Sequence, residues 1–243
     1  MGWSYNSWLN NFYPEGLKKS QFLAEYSKHF KTVEADSSFY RVPSENTVAS
    51  WKEQTPDYFL FSLKFPKAVT HDKMLKDSES HVEFFLKRIS LLKRKVGALL
   101  LQFPYAFGDE THLDLLRDFL GFIPKDYRFC VEIRNKNLIQ DKLHSLLRDH
   151  NVALAMLDHP FWPKTEVLTA DFAYIRWEGD RRKVNGTLGR AEVDKTAKIQ
   201  EWAQKIKLFD DQIEVFGYFS KYYSGHPPTD AKQLLDALSA RYE

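Results

Sequence analysis

The chain repeats one order of elements seven times: a short apolar run, a polar turn and a longer amphipathic stretch. Strands that alternate with helices pair in parallel, because each helix returns the chain to the same end of the sheet. The repeat therefore predicts an α/β fold with a parallel sheet. The predicted strands are 32–36, 59–65, 97–103, 128–135, 152–158, 172–179 and 213–220. The predicted helices are 17–30, 46–54, 78–94, 109–121, 138–150, 190–208 and 228–241.

The alternation inside the strands distinguishes an open sheet from a closed barrel. The two faces of the strand 128–135 carry Phe129, Val131 and Ile133 on one side and Cys130, Glu132 and Arg134 on the other. An open sheet covered by helices on both sides would give near-continuous apolar runs instead. No Gly-rich phosphate loop follows any strand, which weakens a dinucleotide-binding sheet further. The pattern predicts a (β/α)8 TIM barrel, apolar under its helices and polar inside near its mouth.

The length of 243 residues fits one such barrel, and we expect a single domain over 1–243. Seven strand signals leave one strand of eight to be supplied at the start. The sequence begins with Met1-Gly2-Trp3, where the first strand of a barrel should end. We therefore expect this first strand to be truncated.

Composition excludes several classes of protein. The 35 basic and 33 acidic residues nearly balance, so bulk charge does not commit the whole chain to nucleic acid. The single Cys130 rules out an intramolecular disulfide and a cysteine-based zinc site. No apolar run approaches the ~18 residues of a membrane span, and no signal peptide is recognisable. We expect a cytoplasmic protein without a membrane partner.

Charged side chains recur on the inward faces near the carboxyl ends of the strands, where barrel enzymes place their active sites. Buried charges are costly unless they are paired, so this clustering predicts a ligand site, although each pair alone could be a structural cross-link. The catalytic candidates are Glu34, Glu132 and Asp158. The candidate substrate-binding residues are Lys64, His71, Gln102, Arg134, Arg176, Glu178, Tyr5 and Tyr40.

Aromatic residues in the loops after the strands suggest a rim able to stack on a sugar or base, although packing between loops would explain each one singly. They are Trp3, Tyr5, Trp8, Phe12, Tyr13, Phe39, Tyr40, Phe103, Tyr105, Phe107, Trp162, Tyr222 and Tyr223. The basic run Arg181-Arg182-Lys183 follows the seventh barrel strand, at a position where barrels often bind phosphate.

Three functions fit these residues. The first is an acid–base enzyme for a small polar substrate of phosphorylated or nucleotide-like type, with Glu34 or Glu132 as a general base of raised pKa. The second is a non-catalytic module that binds nucleic acid or a sugar through the aromatic rim. The third is a glycoside hydrolase that uses two carboxylates. No cofactor is predicted, and only Mg²⁺ or Mn²⁺ would suit so carboxylate-rich a site.

Several linked motifs occur in a fixed order from Gly2 to Gly179: "GWSYNSW", "FYPEGL", "TVEADSSFYRVPS", "FLFSLKFPKAVTH", "LLLQFP", "FCVEIRN", "MLDHP" and "FAYIRWEG". Together they resemble the domain-of-unknown-function 72 family, the YecE-like proteins. The resemblance implies a (β/α)8 barrel and carries no established activity. Members of the family usually have a histidine at the position of Glu178 and an asparagine pair at Ser220-Lys221, and their first strand usually precedes the "GWSY" motif.

Overall fold

The structure is a computed structural model that describes residues 1–240, and the strands in this range form two parallel sheets. The first sheet has five strands in chain order, β1 (Thr32–Ala35), β2 (Leu60–Lys64), β3 (Val96–Gln102), β4 (Arg128–Glu132) and β5 (Ala153–Leu154). The second has three, β6 (Met156–Asp158), β7 (Phe172–Trp177) and β8 (Glu214–Phe219). All paired neighbours run parallel, so the predicted mixed α/β fold is confirmed.

Helices follow the strands as the repeat predicted. In the described part of the chain they are α1 (Phe22–His29), α2 (Ser37–Tyr40), α3 (Glu45–Glu53), α4 (Glu79–Ile89), α5 (Glu110–Phe122), α6 (Asp141–Asp149), α7 (Thr196–Lys207) and α8 (Pro227–Ser239). The stretch 190–195, predicted as helix, is a loop. Its Glu192 carboxylate accepts from the backbone N–H groups of Asn185 and Gly186 and so closes a turn. The last residue of the predicted helix 228–241 lies outside the described residues.

The segment 152–158, predicted as one strand, joins the two sheets. It divides at Ala155, whose backbone N–H donates to Val131 O at 2.9 Å. Its first half, β5, pairs with β4, and its second half, β6, pairs with β7. The seven predicted strands therefore lie side by side in chain order, with one change of sheet in the middle.

The described residues show no ladder between β8 and β1, so the closed TIM barrel expected from the sequence is not observed. Met1 and Gly2 bridge one end of the gap: Met1 N donates to Phe219 O of β8 at 2.9 Å, and Gly2 N donates to Glu34 O of β1 at 2.8 Å. A largely apolar groove of about 370 Å³ continues beside them between the two strands and the helices α1 and α8. The described residues show no further pairing along the edges of β1 and β8, and the sheets stay open there.

The core has an outer and an inner part. Outward residues such as Val33, Ala35 and Leu63 pack under the helices. The inner part brings together side chains from both sheets, among them Leu100, Tyr174 and Tyr218. The two faces predicted for the strand 128–135 are therefore correct: Phe129, Val131 and Ile133 belong to the outer part of the core and Cys130 to the inner part. None of the helices within residues 1–240 is long and apolar enough to cross a membrane.

Candidate functional site

Arg176 of β7 lies at the centre of a buried charge network. Its Nε and Nη2 donate to the two oxygens of Glu34 at 3.0 and 2.9 Å. Its Nη1 donates to Glu132 Oε2 at 2.5 Å and also contacts Glu178 Oε1. The side chain of Arg176 is 2% exposed, and those of Glu34 and Glu132 are 0% and 1% exposed. One guanidinium therefore forms ion pairs with three carboxylates, which come from β1, from β4 and from the residue after β7.

Neighbouring side chains complete the hydrogen bonding of both glutamates. Tyr174 OH donates to Glu34 Oε2 at 2.6 Å. Gln102 Nε2 and Arg134 Nε donate to Glu132 Oε1 at 2.7 and 3.1 Å. A buried carboxylate that is satisfied in this way is stabilised in its charged form.

The expectation of a raised pKa for Glu34 or Glu132 is wrong, because the net shift of both pKa values is downward. Burial by itself raises the pKa of Glu132, but attraction to Arg176, Arg134 and Lys64 outweighs burial and lowers the pKa to about 2. At Glu34, attraction to Arg176 likewise overcomes burial and lowers the pKa. Neither group would be protonated near neutral pH. The arrangement therefore does not favour the two-carboxylate glycoside hydrolase, which needs one protonated acid.

Asp36 is the carboxylate at the mouth that titrates near neutral pH. It follows β1 two residues after Glu34, so it projects on the same side one step closer to solvent, with 38% of its side chain exposed. Its Oδ1 lies 3.6 Å from Lys64 Nζ. Desolvation, followed by repulsion from Glu34, raises the pKa of Asp36 to about 6. A carboxyl group with this pKa can both give and accept a proton near neutral pH.

Lys64, the last residue of β2, links Asp36 to the network below. Its Nζ donates to Gln102 Oε1 at 2.9 Å and lies 4.8 Å from the centre of the Phe39 ring. The residue is 8% exposed. Asp36, Lys64, Gln102 and Glu132 therefore form a continuous polar chain from the mouth to Arg176.

A cavity of about 150 Å³ opens above this chain. Cationic side chains outnumber carboxylates in its charged lining. The residues around it are Met1, Tyr5, Asp36, Tyr40, Lys64, Gln102, Arg134, Arg176, Glu178, Arg181, Ser220, Lys221 and Tyr222. Seven of the eight predicted substrate-binding residues thus meet at one cavity, and His71 is the exception.

Two other predicted residues lie away from this cavity. Asp158 accepts hydrogen bonds from Trp202 Nε1 at 2.9 Å and Tyr223 OH at 3.3 Å, so its carboxylate faces the helix layer. His71 lies in the turn after β2, against Phe39 and within 3.0 Å of Thr70 Oγ1. Burial, followed by repulsion from Arg134, lowers the pKa of His71. The structure brings neither side chain into contact with the cavity.

The loop aromatics divide into core and rim. Trp8, Tyr13, Phe103, Phe107 and Tyr223 are buried and pack against other rings, so they belong to the core. The exposed rings include Tyr40, Tyr105 and Phe161. Tyr5 also lines the cavity, where burial raises its pKa to about 12.

The positions that depart from the family pattern take part in the site. Glu178 contributes a third carboxylate to Arg176, which ties the end of β7 to the network. Ser220 Oγ accepts from Tyr222 N at 3.3 Å and helps to shape the loop after β8. Among residues 1–240, no group of three His, Cys, Asp or Glu side chains is arranged to hold a metal ion.

The catalytic and substrate-binding candidates from the sequence do not include Asp36, Arg181, Lys221 or Tyr222, although the predicted phosphate-binding run contains Arg181 and the predicted aromatic rim contains Tyr222. The spacing of Asp36 from Glu34 was a usable signal, because period two places both on the inward face. Arg181, Lys221 and Tyr222 lie in loops, where no periodicity tells which side chain turns inward. Only the path of these loops over the mouth identifies them.

Comparison with known proteins agrees with the resemblance in the motifs. The family model described as "Protein of unknown function DUF72" matches residues 1–243. The UPF0759 protein YecE of Escherichia coli K12 is 35% identical over 230 residues, with 84% of this chain and 78% of that protein covered. The UPF0759 protein YunF of Bacillus subtilis 168 is 23% identical over 263 residues, with 96% and 92% covered.

Solved structures share the fold. A DUF72 family protein from Thermotoga maritima superposes with a TM-score of 0.83 at 25% identity, covering 98% of this chain and 97% of that one. A DUF72 family protein from Enterococcus faecalis superposes with a TM-score of 0.75 at 21% identity, covering 91% and 89%, which supports the fold alone. With the match of the family model over its whole length, the chain belongs to the DUF72 family of proteins of unknown function.

Proposed function

We propose that the protein is an acid–base enzyme that acts on a small polar substrate bearing an anionic group. The observation that carries this proposal is Asp36: a partly exposed carboxyl group with a pKa raised to about 6, at 3.6 Å from Lys64, in a cavity lined mainly by cations. Proton transfer is most efficient when the pKa of the catalytic group lies near the operating pH.

Each part of the site has a role in this proposal. Asp36 exchanges protons with the substrate, and Arg134, Arg181 and Lys221 hold its anionic group. The ion pairs of Arg176 with Glu34 and Glu132 hold the strand ends in place, which is the preorganisation that acid–base catalysis requires. Glu34 and Glu132 therefore hold the site in place. Asp36, rather than either glutamate, is the group that exchanges protons with the substrate.

We further propose that this cavity lies at the mouth of a (β/α)8 barrel in a cytoplasmic protein. Three features support the barrel: the strands follow one another in chain order, the segment 153–158 pairs on both sides, and side chains from both sheets share the inner core. The cavity then lies at the carboxyl ends of the strands, where barrel enzymes carry out their chemistry.

Binding of inorganic phosphate tests the anion site. Arg181 lines the cavity, whereas its neighbour Arg182 lies outside the lining and pairs with Asp180, so the two residues form a matched pair. We expect calorimetry to show phosphate binding that Arg181→Gln weakens about tenfold, the loss of one good charge-assisted contact. Arg182→Gln should bind phosphate as the unchanged chain does. Absence of binding to the unchanged chain, or equal loss in both variants, would contradict the proposal.

The titration of Asp36 tests the acid–base part. Carboxyl carbon NMR should show Asp36 titrating near pH 6, and bound phosphate should shift this titration upward, because a nearby anion disfavours the carboxylate. An ordinary aspartate titration near pH 4 would rule out Asp36 as a group poised for proton transfer.

A second candidate function is binding of single-stranded nucleic acid or a sugar at the rim. The observation that favours it is the stacking of cations on rim aromatics: Arg134 on Trp162 at 5.1 Å, Arg181 on Tyr222 at 4.8 Å and Arg182 on Phe161 at 4.3 Å. Basic groups interleaved with rings suit a strand of stacked bases. Affinity for a single-stranded oligonucleotide should fall steeply as salt rises, because each neutralised phosphate releases a counterion. A flat salt response would exclude this function for nucleic acid.

A further inference from the structure

We infer that Lys64 is a nucleophile that forms a Schiff base with substrates carrying a carbonyl group beside an anionic group. The inference rests on the proposed function, because it uses the same cavity and the same cations. It adds a covalent step and a substrate class, an anionic aldehyde or ketone.

The position of Lys64 suits this chemistry. The residue ends β2, so its side chain rises from the carboxyl end of a parallel strand into the cavity. It is 8% exposed, although lysine is almost never buried without a partner. Buried amines at such positions are the residues that proteins use for imine formation with carbonyl substrates.

A second buried lysine, Lys95, provides a comparison, because all the hydrogen bonds of its ammonium group go to structural acceptors. Lys95 is 3% exposed, and its Nζ donates to Lys52 O at 2.7 Å, Thr55 O at 2.7 Å and Thr55 Oγ1 at 3.2 Å. These acceptors use all three of its N–H groups. Lys64 Nζ instead donates to Gln102 Oε1 at 2.9 Å, and the Asp36 carboxylate stands farther off, at 3.6 Å. The amine of Lys64 thus remains available on the side of the cavity.

Asp36 supplies the proton transfers that imine formation needs. Its carboxylate takes a proton from the Lys64 ammonium, and the free Nζ then attacks the carbonyl carbon. A C–N bond forms as the carbonyl π electrons move to oxygen, which takes the proton from Asp36. Asp36 then removes one proton from nitrogen and returns it to the hydroxyl group, which leaves as water. The net reaction joins one amine and one carbonyl into one imine and releases one water.

The cations around the cavity define the substrate further. Arg134, Arg181 and Lys221 line the same cavity as Lys64, so an anionic group held by them places a carbonyl near Nζ. A phosphate or carboxylate one or two carbons away from the carbonyl fits a cavity of about 150 Å³. The imine nitrogen then withdraws electrons from the neighbouring carbon, and Asp36 is placed to remove a proton from it.

Reductive trapping tests the inference on the unchanged chain. The protein is incubated with glycolaldehyde phosphate and sodium cyanoborohydride, whose hydride reduces the imine to a stable secondary amine, and adducts are located by peptide mass spectrometry. We expect one dominant adduct on Lys64, formed at least about tenfold faster than on exposed lysines, and slowed by added inorganic phosphate. Labelling spread over lysines in the order of their exposure, with Lys64 as slow as Lys95, would overturn the inference.

Two variants and one control substrate sharpen the result. Lys64→Arg should lose the dominant adduct, because arginine retains the charge and forms no imine under these conditions. Asp36→Asn should slow the labelling of Lys64 about tenfold. Glycolaldehyde without phosphate should label Lys64 more slowly than its phosphorylated form does. If phosphate binds and Asp36 titrates near pH 6 while Lys64 stays unlabelled, the inference fails and the proposed function stands. If phosphate does not bind, both fail.

Discussion

At the scale of single residues, the mouth contains two kinds of carboxylate. Glu34 and Glu132 are buried and bonded to Arg176, so they stay charged across the neutral range. Asp36 lies two residues from Glu34 in the sequence, yet its pKa is raised to about 6, because burial and Glu34 outweigh the attraction of Lys64. Carboxyl groups of the same charge therefore differ in pKa according to the charges packed around each of them.

Removing Arg176 should destabilise the fold severely. Arg176→Met leaves Glu34 and Glu132 buried without their main counter-charge, and breaking such a pair costs about 3–5 kcal/mol. Urea denaturation near pH 7 measures this loss in the free energy of unfolding. Arg128→Met is the control, because Arg128 pairs with Glu214 on the surface, both being nearly half exposed, and should cost at most about 1 kcal/mol. Equal losses in the two variants would show that the buried network does not support the fold.

Ionised Asp36 should lower the free energy of unfolding at pH values above the range in which the group titrates. Its pKa is about 6 in the folded chain and near 4 when unfolded, so the folded state binds more protons between these values. Stability contributed by this group therefore falls as pH rises from about 4 to 6 and stays low above. Asp36→Asn should stabilise the protein at pH 7 by about 1 kcal/mol, a value reduced for the exposed part of the side chain. This gain should vanish below about pH 4, and a gain independent of pH would contradict the explanation.

At the scale of elements, loops fix the shape of the mouth. Gly179 follows β7 with φ +80°, and a Cβ added there would lie 1.9 Å from Tyr222 O, in the loop after β8. These two loops carry Arg181 and Lys221, so their close approach sets the position of both cations. The predicted helix 78–94 begins at Ser78, but α4 begins one residue later, and the Ser78 hydroxyl donates to Leu75 O at 2.7 Å and does not cap the helix.

Gly179→Ala should disturb the mouth, whereas Gly16→Ala should not. Both glycines have positive φ, but a Cβ on Gly16 would meet no atom within 4 Å. Gly16→Ala should cost about 1 kcal/mol, the strain of a left-handed residue alone. Gly179→Ala adds a collision with backbone, so it should cost at least about twice as much and weaken phosphate binding. Thermal denaturation and calorimetry measure both effects, and equal costs with phosphate binding intact would show that the two loops are not rigidly packed.

For the whole molecule, the two sheets are least connected by backbone hydrogen bonds at the gap between β8 and β1. Every other pair of neighbouring strands is joined by a ladder or by the segment 153–158. Gly2 donates to Glu34 O and Met1 donates to Phe219 O, which shows which backbone groups face the gap. By period two, Thr32 in β1 and Gly217 in β8 face it as well.

Amide hydrogen exchange should report this gap directly. The N–H groups of Thr32 and Gly217 face the groove, and both residues are half-buried, whereas those of Val33 and Tyr218 face β2 and β7. An amide without a ladder partner needs less opening to exchange. We expect Thr32 and Gly217 to exchange on the order of 100-fold faster than Val33 and Tyr218 in NMR measurements. Equal protection of all four amides would mean that the gap is closed in solution.

The sequence is sufficient to predict the order of elements, the two faces of the strand 128–135 and most residues that meet at the mouth. It could do so because these features depend on periodicities of two and 3.6 residues, which are local. Arg176, Glu34 and Glu132 were predicted to converge for this reason. Period two also places Asp36 on the inward side, beside Glu34.

Long-range packing, by contrast, sets which of these carboxyl groups has a raised pKa and whether the sheet closes. The pKa of a carboxyl group depends on burial and on the charges within a few ångströms, and these come from strands far apart in the sequence. Arg176 is 142 residues from Glu34 and 44 from Glu132, yet it holds both charged, while Asp36 is left to titrate. The course of the loops that carry Arg181 and Lys221, and the gap between β8 and β1, likewise depend on long-range packing that no local pattern encodes.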